Sequence, residues 1–145
     1  MSVNHPIISV TGSSGAGTTS VKQTFEQIFR RESISAMFIE GDAFHAYDRA
    51  GMKEKMAEKL KDGDDHFSHF GPEANLLDEL EGVFANYAES GSGRTRHYIH
   101  DQEEALAFGS EPGTFTEWEE FSAGSDLLFY EGLHGAVITD EVDIA

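Results

Sequence analysis

No stretch of the 145 residues leaves fewer choices of fold than Ile7-Ile8-Ser9-Val10-Thr11-Gly12-Ser13-Ser14-Gly15-Ala16-Gly17-Thr18-Thr19. A short apolar run ends in a turn with three glycines, and Thr18, Thr19 and Ser20 then open an amphipathic segment. That order is the strand, loop and helix of a phosphate-binding P-loop. The glycines let backbone N–H groups turn inward around an anion. The helix behind them adds the positive end of its dipole. Gly12, Gly17 and Thr19 fit the template G-x-x-x-x-G-K-[ST], with Thr18 standing where the template has lysine.

The rest of the chain extends this unit. Val21, Phe25, Ile28 and Phe29 recur on one face of a helix predicted from about Thr18 to Arg31, with Lys22, Gln23, Glu26 and Arg30 on the other side. Residues 7–11 read as a buried strand and residues 36–40 as a second strand, stopped by Gly41-Asp42. Strand, helix and strand make a βαβ unit and hence a parallel sheet. A charged helix is expected from Phe44 to Lys61, then a polar loop over 62–71. Pro72 suits a first helical position, and Leu77, Leu80, Phe84 and Tyr87 mark a helix face ended by Ser90-Gly91-Ser92-Gly93. Residues 94–100 alternate as a short strand, and Asp101 with Glu104 looks like a helix cap. The uninterrupted run Asp126-Leu127-Leu128-Phe129-Tyr130-Glu131-Gly132 predicts a strand buried on both faces. The fold class expected from these elements is α/β, a mainly parallel sheet behind a P-loop.

Composition narrows the partners. The formal net charge is −17, from 27 acidic and 10 basic residues. Such a chain is a poor candidate for nonspecific nucleic-acid or anionic-membrane binding. A phosphate site must then be made locally, from backbone dipoles, a metal and a few cations. No apolar run is long enough to span a bilayer, and no signal peptide is visible. There is no cysteine, which excludes disulfides and thiolate zinc sites and fits a reducing, cytoplasmic setting.

Ligands of a parallel sheet sit beyond the carboxyl ends of its strands, so the glycine turn, Asp42 and Glu131 should share one crevice. Glu131 ends a buried apolar strand, where P-loop proteins keep a metal-organising carboxylate, and Thr19 would offer its hydroxyl to Mg²⁺. Asp42 can accept a proton from an attacking hydroxyl or simply cap the next helix. His45, Arg49 and Lys53 recur four apart and read as one helix face for an anion such as a sugar phosphate, or as a solvated face. Arg94, Arg96, His97 and His100 form the densest basic patch, for a second phosphate or as gatekeeping charges on an edge strand. His66 and His69 lie in an acidic loop with no further ligands at zinc spacing. Tyr98, Phe115, Trp118 and Phe121 read most simply as packing residues.

The motifs together resemble one family. Ile-Ile-Ser-Val-Thr-Gly-Ser-Ser-Gly-Ala-Gly-Thr-Thr, Ile-Glu-Gly-Asp42-Ala-Phe-His45, Phe-Ser-His-Phe, Gly-Arg94-Thr-Arg96 with Tyr98, and Leu-Leu-Phe-Tyr-Glu131-Gly-Leu-His-Gly are similar to the bacterial class of phosphoribulokinases, from His5 onward. That class likewise lacks the P-loop lysine. The resemblance implies transfer of the γ-phosphate of ATP to the 1-hydroxyl of ribulose 5-phosphate, giving ribulose 1,5-bisphosphate in Calvin-cycle carbon fixation. It implies that Gly12, Ser13, Ser14, Gly15, Ala16, Gly17, Thr18, Thr19 and Ser20 hold ATP phosphates and that Asp42 is the catalytic base. Glu131 and Thr19 would organise Mg²⁺, and His45, Arg49, Lys53, Tyr98 and His100 would contact the sugar phosphate. It further implies a homo-oligomer activated by NADH in full-length members. A uridine-kinase-like small-molecule kinase and a truncated, inactive nucleotide-binding module are the alternatives. The fold it implies is an α/β P-loop kinase domain over residues 1–145, with a doubly wound, mainly parallel sheet and helices on both faces; family members run on past Val142-Asp143-Ile144-Ala145 with another acidic residue and a basic lid over the phosphates, so the chain is expected to be the N-terminal part of that domain, incomplete at its C-terminus.

Overall fold

A computed structural model describes residues 3–13 and 15–145. Three strands form a parallel sheet: β1 (Ile7–Thr11), β2 (Ala36–Glu40) and β5 (Leu127–Gly132), in the order β1-β5-β2. The strand read as buried on both faces is therefore the central one. Residues Leu127 to Tyr130 are all buried. Alternation along β5 divides the core. Leu127 and Phe129 pack with Phe25 and Phe29 of helix α1 (Thr18–Arg31), while Leu128 and Tyr130 pack with Leu80, Val83, Phe84 and Tyr87 of helix α3 (Leu77–Ser90). Helices thus cover both faces, as the sequence predicts. Phe129 is completely buried, which is worth roughly 2–3 kcal/mol.

Four expectations need correction. β1 is only half-buried, because among the described residues it pairs with β5 alone and forms a sheet edge. The helix expected from Phe44 is helix α2 (Arg49–Lys61): Gly41–Phe44 forms a 3-10 turn, and the Asp48 carboxylate accepts from the Gly51 N–H at 2.8 Å. That cap starts a new helix axis after residue 48. Pro72 opens a separate 3-10 turn, Pro72–Ala74, before α3 begins. The alternation over 94–100 yields only β3 (Gly93–Thr95), antiparallel to β4 (Glu119–Phe121), with Tyr98 bridged to Phe115 further on.

The remaining signals hold at their positions. Gly91 closes α3 with φ of 74°, a conformation open to glycine at little cost. Asp101 caps helix α4 (Gln102–Phe108) by accepting from the Glu104 N–H at 2.9 Å, and Glu104 reaches back to the His100 N–H at 2.7 Å.

Candidate active site

The carboxyl ends of the three strands meet in one place. Glu131 on β5 lies in register with Val10 on β1 and with Glu40 on β2. Leu127 and Phe129 face α1, so Glu131, two residues further on, faces it too, with Glu40 alongside. Beyond them Gly41 and Gly132 pack backbone to backbone. A Cβ on Gly41 would stand 2.6 Å from the Tyr130 hydroxyl and 3.0 Å from the Gly132 Cα. Glycine at both strand ends permits this approach, and Asp42 and Glu131 line one crevice. The Gly12 N–H donates to the Gly132 carbonyl at 3.2 Å and anchors the glycine-rich turn to the same point.

A crevice of about 570 Å³ results. Gly12, Ser13, Gly15, Thr18 and Thr19 of the glycine-rich turn and helix start line it together with Glu40, Asp42 and Glu131. His100, Glu104, Phe70 and His134 line it as well. Of the other loop candidates, Ser14 lies outside the described residues. Ala16, Gly17 and Ser20 are not among those lining the crevice. Gly17 precedes α1 at φ of 85°, and the Ser20 carbonyl accepts from the Thr24 hydroxyl at 3.0 Å. The crevice is therefore made by the P-loop and two strand ends far apart in sequence, as the parallel topology requires.

Asp42 is held between two imidazoles. His45 Nε2 stands 3.3 Å from Oδ1 and His100 Nε2 2.8 Å from Oδ2. Each ring meets a second acceptor through Nδ1: Asn75 Oδ1 at 2.9 Å for His45, and Glu104 Oε2 at 3.0 Å for His100. The Asn75 amide orientation is fixed, because its Nδ2 donates to the carbonyls of His69 at 2.9 Å and Gly71 at 2.7 Å. Rings with acceptors at both nitrogens favour the imidazolium form. The hydrogen bond to Asp42 lifts His100 to about 9, and Asp42 likewise lifts His45. In return His100, and next His45, hold the Asp42 carboxyl well below the usual carboxylate range. A carboxylate paired in this way is a weak base.

Arg96 fixes the turn that carries this carboxylate. Its Nε donates to the Ala43 carbonyl at 2.8 Å and its Nη2 to the His45 carbonyl at 2.7 Å. The guanidinium lies over the Phe115 ring at 3.6 Å and the Trp118 ring at 4.5 Å. Neither sequence reading of Arg96 describes this role. Arg94 pairs with Glu79 at 2.7 Å and also lies over the Trp118 ring, at 4.8 Å. The aromatics read as packing residues do pack, and in doing so they clasp two arginines.

A second cavity, of about 530 Å³, adjoins the first. His45, Arg49, Lys53, Tyr98 and His69 line it, and His45 and His69 line both cavities. The three predicted cations thus converge, although His45 precedes α2 and shares no helix face with Arg49 and Lys53. Arg49 spends part of its donor capacity on the His100 carbonyl at 3.1 Å. Tyr98 sits edge-on to His45 and His100, with ring centroids 6.2 and 5.0 Å away. His66 is nearly fully exposed beside Asp65 and lines neither cavity. His134 Nε2 donates to the Phe70 carbonyl at 3.0 Å and ties the 62–71 loop to the crevice. Lys22, assigned by periodicity to the far side of α1, instead enters the crevice and pairs with Glu40 at 2.8 Å.

The donors fit a hard divalent cation. Thr19 and Glu131 offer oxygen, and Mg²⁺ is commonly held by one or two protein oxygens together with phosphate and water. Glu40 is occupied by Lys22, and among the described residues no side chain hydrogen-bonds to Glu131.

Comparison with known proteins agrees with this geometry. The sequence model of the Phosphoribulokinase / Uridine kinase family matches residues 7–145. A phosphoribulokinase of Nitrobacter vulgaris is 64% identical over 97% of this chain and 49% of its own length. One from Rhizobium meliloti is 65% identical over the whole chain and 50% of its own length. The solved phosphoribulokinase from Rhodobacter spheroides superposes with a TM-score of 0.85 at 55% identity, covering 97% of this chain and 47% of that one. A D-glycerate 3-kinase from Cryptococcus neoformans, at 13% identity and a TM-score of 0.51, shares the fold. The chain spans about half the length of the curated relatives it matches. The crevice of glycine turn, Asp42 and Glu131, and the match over residues 7–145, place the chain in the phosphoribulokinase / uridine kinase family.

Proposed function

We propose that this chain supplies the ATP and sugar-phosphate sites of a phosphoribulokinase, which transfers the γ-phosphate of ATP to the 1-hydroxyl of ribulose 5-phosphate. One observation carries this reading. Asp42 lines the P-loop crevice, its carboxylate held by His100 and by His45, and His45 lines both that crevice and the cationic cavity. A proton acceptor between a nucleotide site and a sugar-phosphate site is what phosphoryl transfer to a hydroxyl needs. The relatives' names support ribulose 5-phosphate as acceptor over a nucleoside.

Each group has a physical task. The turn N–H groups and the N-terminus of α1 receive the ATP phosphates. Lys53, Arg49 and His45 attract the sugar phosphate and fix the depth at which its far hydroxyl reaches Asp42. As that phosphate competes for the imidazoliums, Asp42 becomes basic enough to accept the hydroxyl proton. Arg96 keeps the Asp42 turn from following the substrate. Thr19 and Glu131 would hold Mg²⁺, which supplies charge neutralisation between the phosphates.

A coupled assay of ADP release with ribulose 5-phosphate tests the base. Asp42→Asn keeps the shape of the side chain and removes its basicity, and the rate should fall by at least ~10². Unaltered turnover would refute the assignment. A second reading is a module that binds nucleotide without turnover. It predicts calorimetric ATP binding with no sugar-dependent ADP release.

A further inference from the structure

We propose that Lys22 takes the place of the lysine that the glycine-rich turn lacks, and that it contacts the β- and γ-phosphates of bound ATP. This inference rests on the phosphoryl-transfer reading and adds a residue to it.

The site lacks a cation where the template has one. Thr18 lines the crevice at the lysine position and brings a hydroxyl and a methyl group. Around it stand the carboxylates of Glu40, Asp42, Glu104 and Glu131. A polyphosphate entering among four carboxylates, in a chain of net charge −17, needs positive charge close by. Lys22 is the one lysine or arginine among the described residues lining this crevice.

Its position follows from helix geometry. Lys22 is four residues after Thr18 on α1, one turn below it on the same face. Helical side chains lean toward the N-terminus, so a long side chain from one turn below covers the turn above. Its stem passes the Phe38 ring, with Nζ 5.8 Å from the centroid, and the ammonium rests 2.8 Å from Glu40 Oε1. Glu40 is the register neighbour of Glu131, so the ammonium stands at the strand ends that flank the glycine turn. The Lys22 side chain remains 20% exposed, which leaves it room to turn from Glu40 to a phosphate. Pairing with Glu40 holds the cation in the crevice until a stronger anion arrives. It also leaves Glu131 as the carboxylate available to a metal.

The test measures binding of ATP and of AMP to the 145-residue chain, with Mg²⁺ present, by calorimetry. The variants are Lys22→Gln and the double substitution Lys22→Gln with Thr18→Lys, each checked for native circular dichroism. Loss of one charge-assisted contact should weaken ATP binding by about 10- to 100-fold in Lys22→Gln and alter AMP binding by less than about twofold. Restoring the template lysine with Thr18→Lys should recover most of the loss. Unchanged ATP affinity in Lys22→Gln, equal losses for ATP and AMP, or no recovery in the double variant would each overturn the proposal. Failure of the unsubstituted chain to bind ATP would instead overturn the phosphoryl-transfer reading, and this inference with it.

Discussion

Replacing His100 with glutamine should flatten the pH dependence of stability between about pH 6.5 and 9. His100 lies between Asp42 at 2.8 Å and Glu104 at 3.0 Å, and these contacts raise its proton affinity from the ordinary value of 6.5 to about 9. At 1.36 kcal/mol per pH unit, a rise of that size corresponds to at most ~3.4 kcal/mol. The His100 and Asp42 side chains are 40% and 52% exposed, so water screens the pair. A realistic contribution is ~1–1.5 kcal/mol. The folded state holds this proton more tightly than the unfolded state does. Its stabilisation is therefore complete below pH 6.5 and fades as the pH rises through about 9. The depressed affinity of Asp42 reflects the same pair and is counted once. Urea denaturation of the unsubstituted chain and of His100→Gln, each at pH 6 and at pH 9.5, isolates the effect. The difference between the two proteins should be ~1–1.5 kcal/mol at pH 6 and close to zero at pH 9.5. An equal difference at both pH values would show that His100 contributes packing only, and the clamp on Asp42 would be refuted.

Arg96→Gln should lose the two charged hydrogen bonds to Ala43 and His45 and the stacking on Phe115 and Trp118, a destabilisation of ~2–3 kcal/mol in urea melts. Under the proposed phosphoryl transfer its rate of ADP release should fall with little change in ATP affinity, because the Asp42 turn and not the glycine loop is released. Gly41→Ala forces a Cβ against the Tyr130 hydroxyl and the Gly132 backbone, and should cost ~1–3 kcal/mol and displace Asp42. A thermal melt within a degree of the unsubstituted chain would show that the strand ends separate freely.

The fold was legible wherever a local pattern decided it. The apolar run over 126–132 read as a strand buried on both faces and is the central one, and α1, the β2 strand and the cap at Asp101 lie where their periodicity and capping residues put them. The sequence pattern misplaced the start of α2, because a four-residue spacing continues across a 3-10 turn without marking the break at Asp48. The candidate site was legible to the extent that parallel topology gathers strand ends: Gly12, Thr19, Asp42 and Glu131 met as expected. Arg96 was not, because its contacts are backbone carbonyls 51 and 53 residues away and leave no trace in spacing. Lys22 was missed because helical periodicity sorts polar from apolar faces and does not separate a crevice from open solvent. The clamp on Asp42 needed three dimensions, since His45, Asn75 and His100 come from three separate loops.

Transfer of labelled γ-phosphate decides the proposal. The chain is incubated with Mg²⁺, ribulose 5-phosphate and ATP carrying isotope in its γ-phosphate, and the sugar products are separated. The label should appear in ribulose 1,5-bisphosphate, and Asp42→Asn should reduce it by at least ~10². Bound ATP that yields no labelled sugar, or labelled inorganic phosphate in its place, would contradict phosphoryl transfer by this chain and leave a nucleotide-binding module.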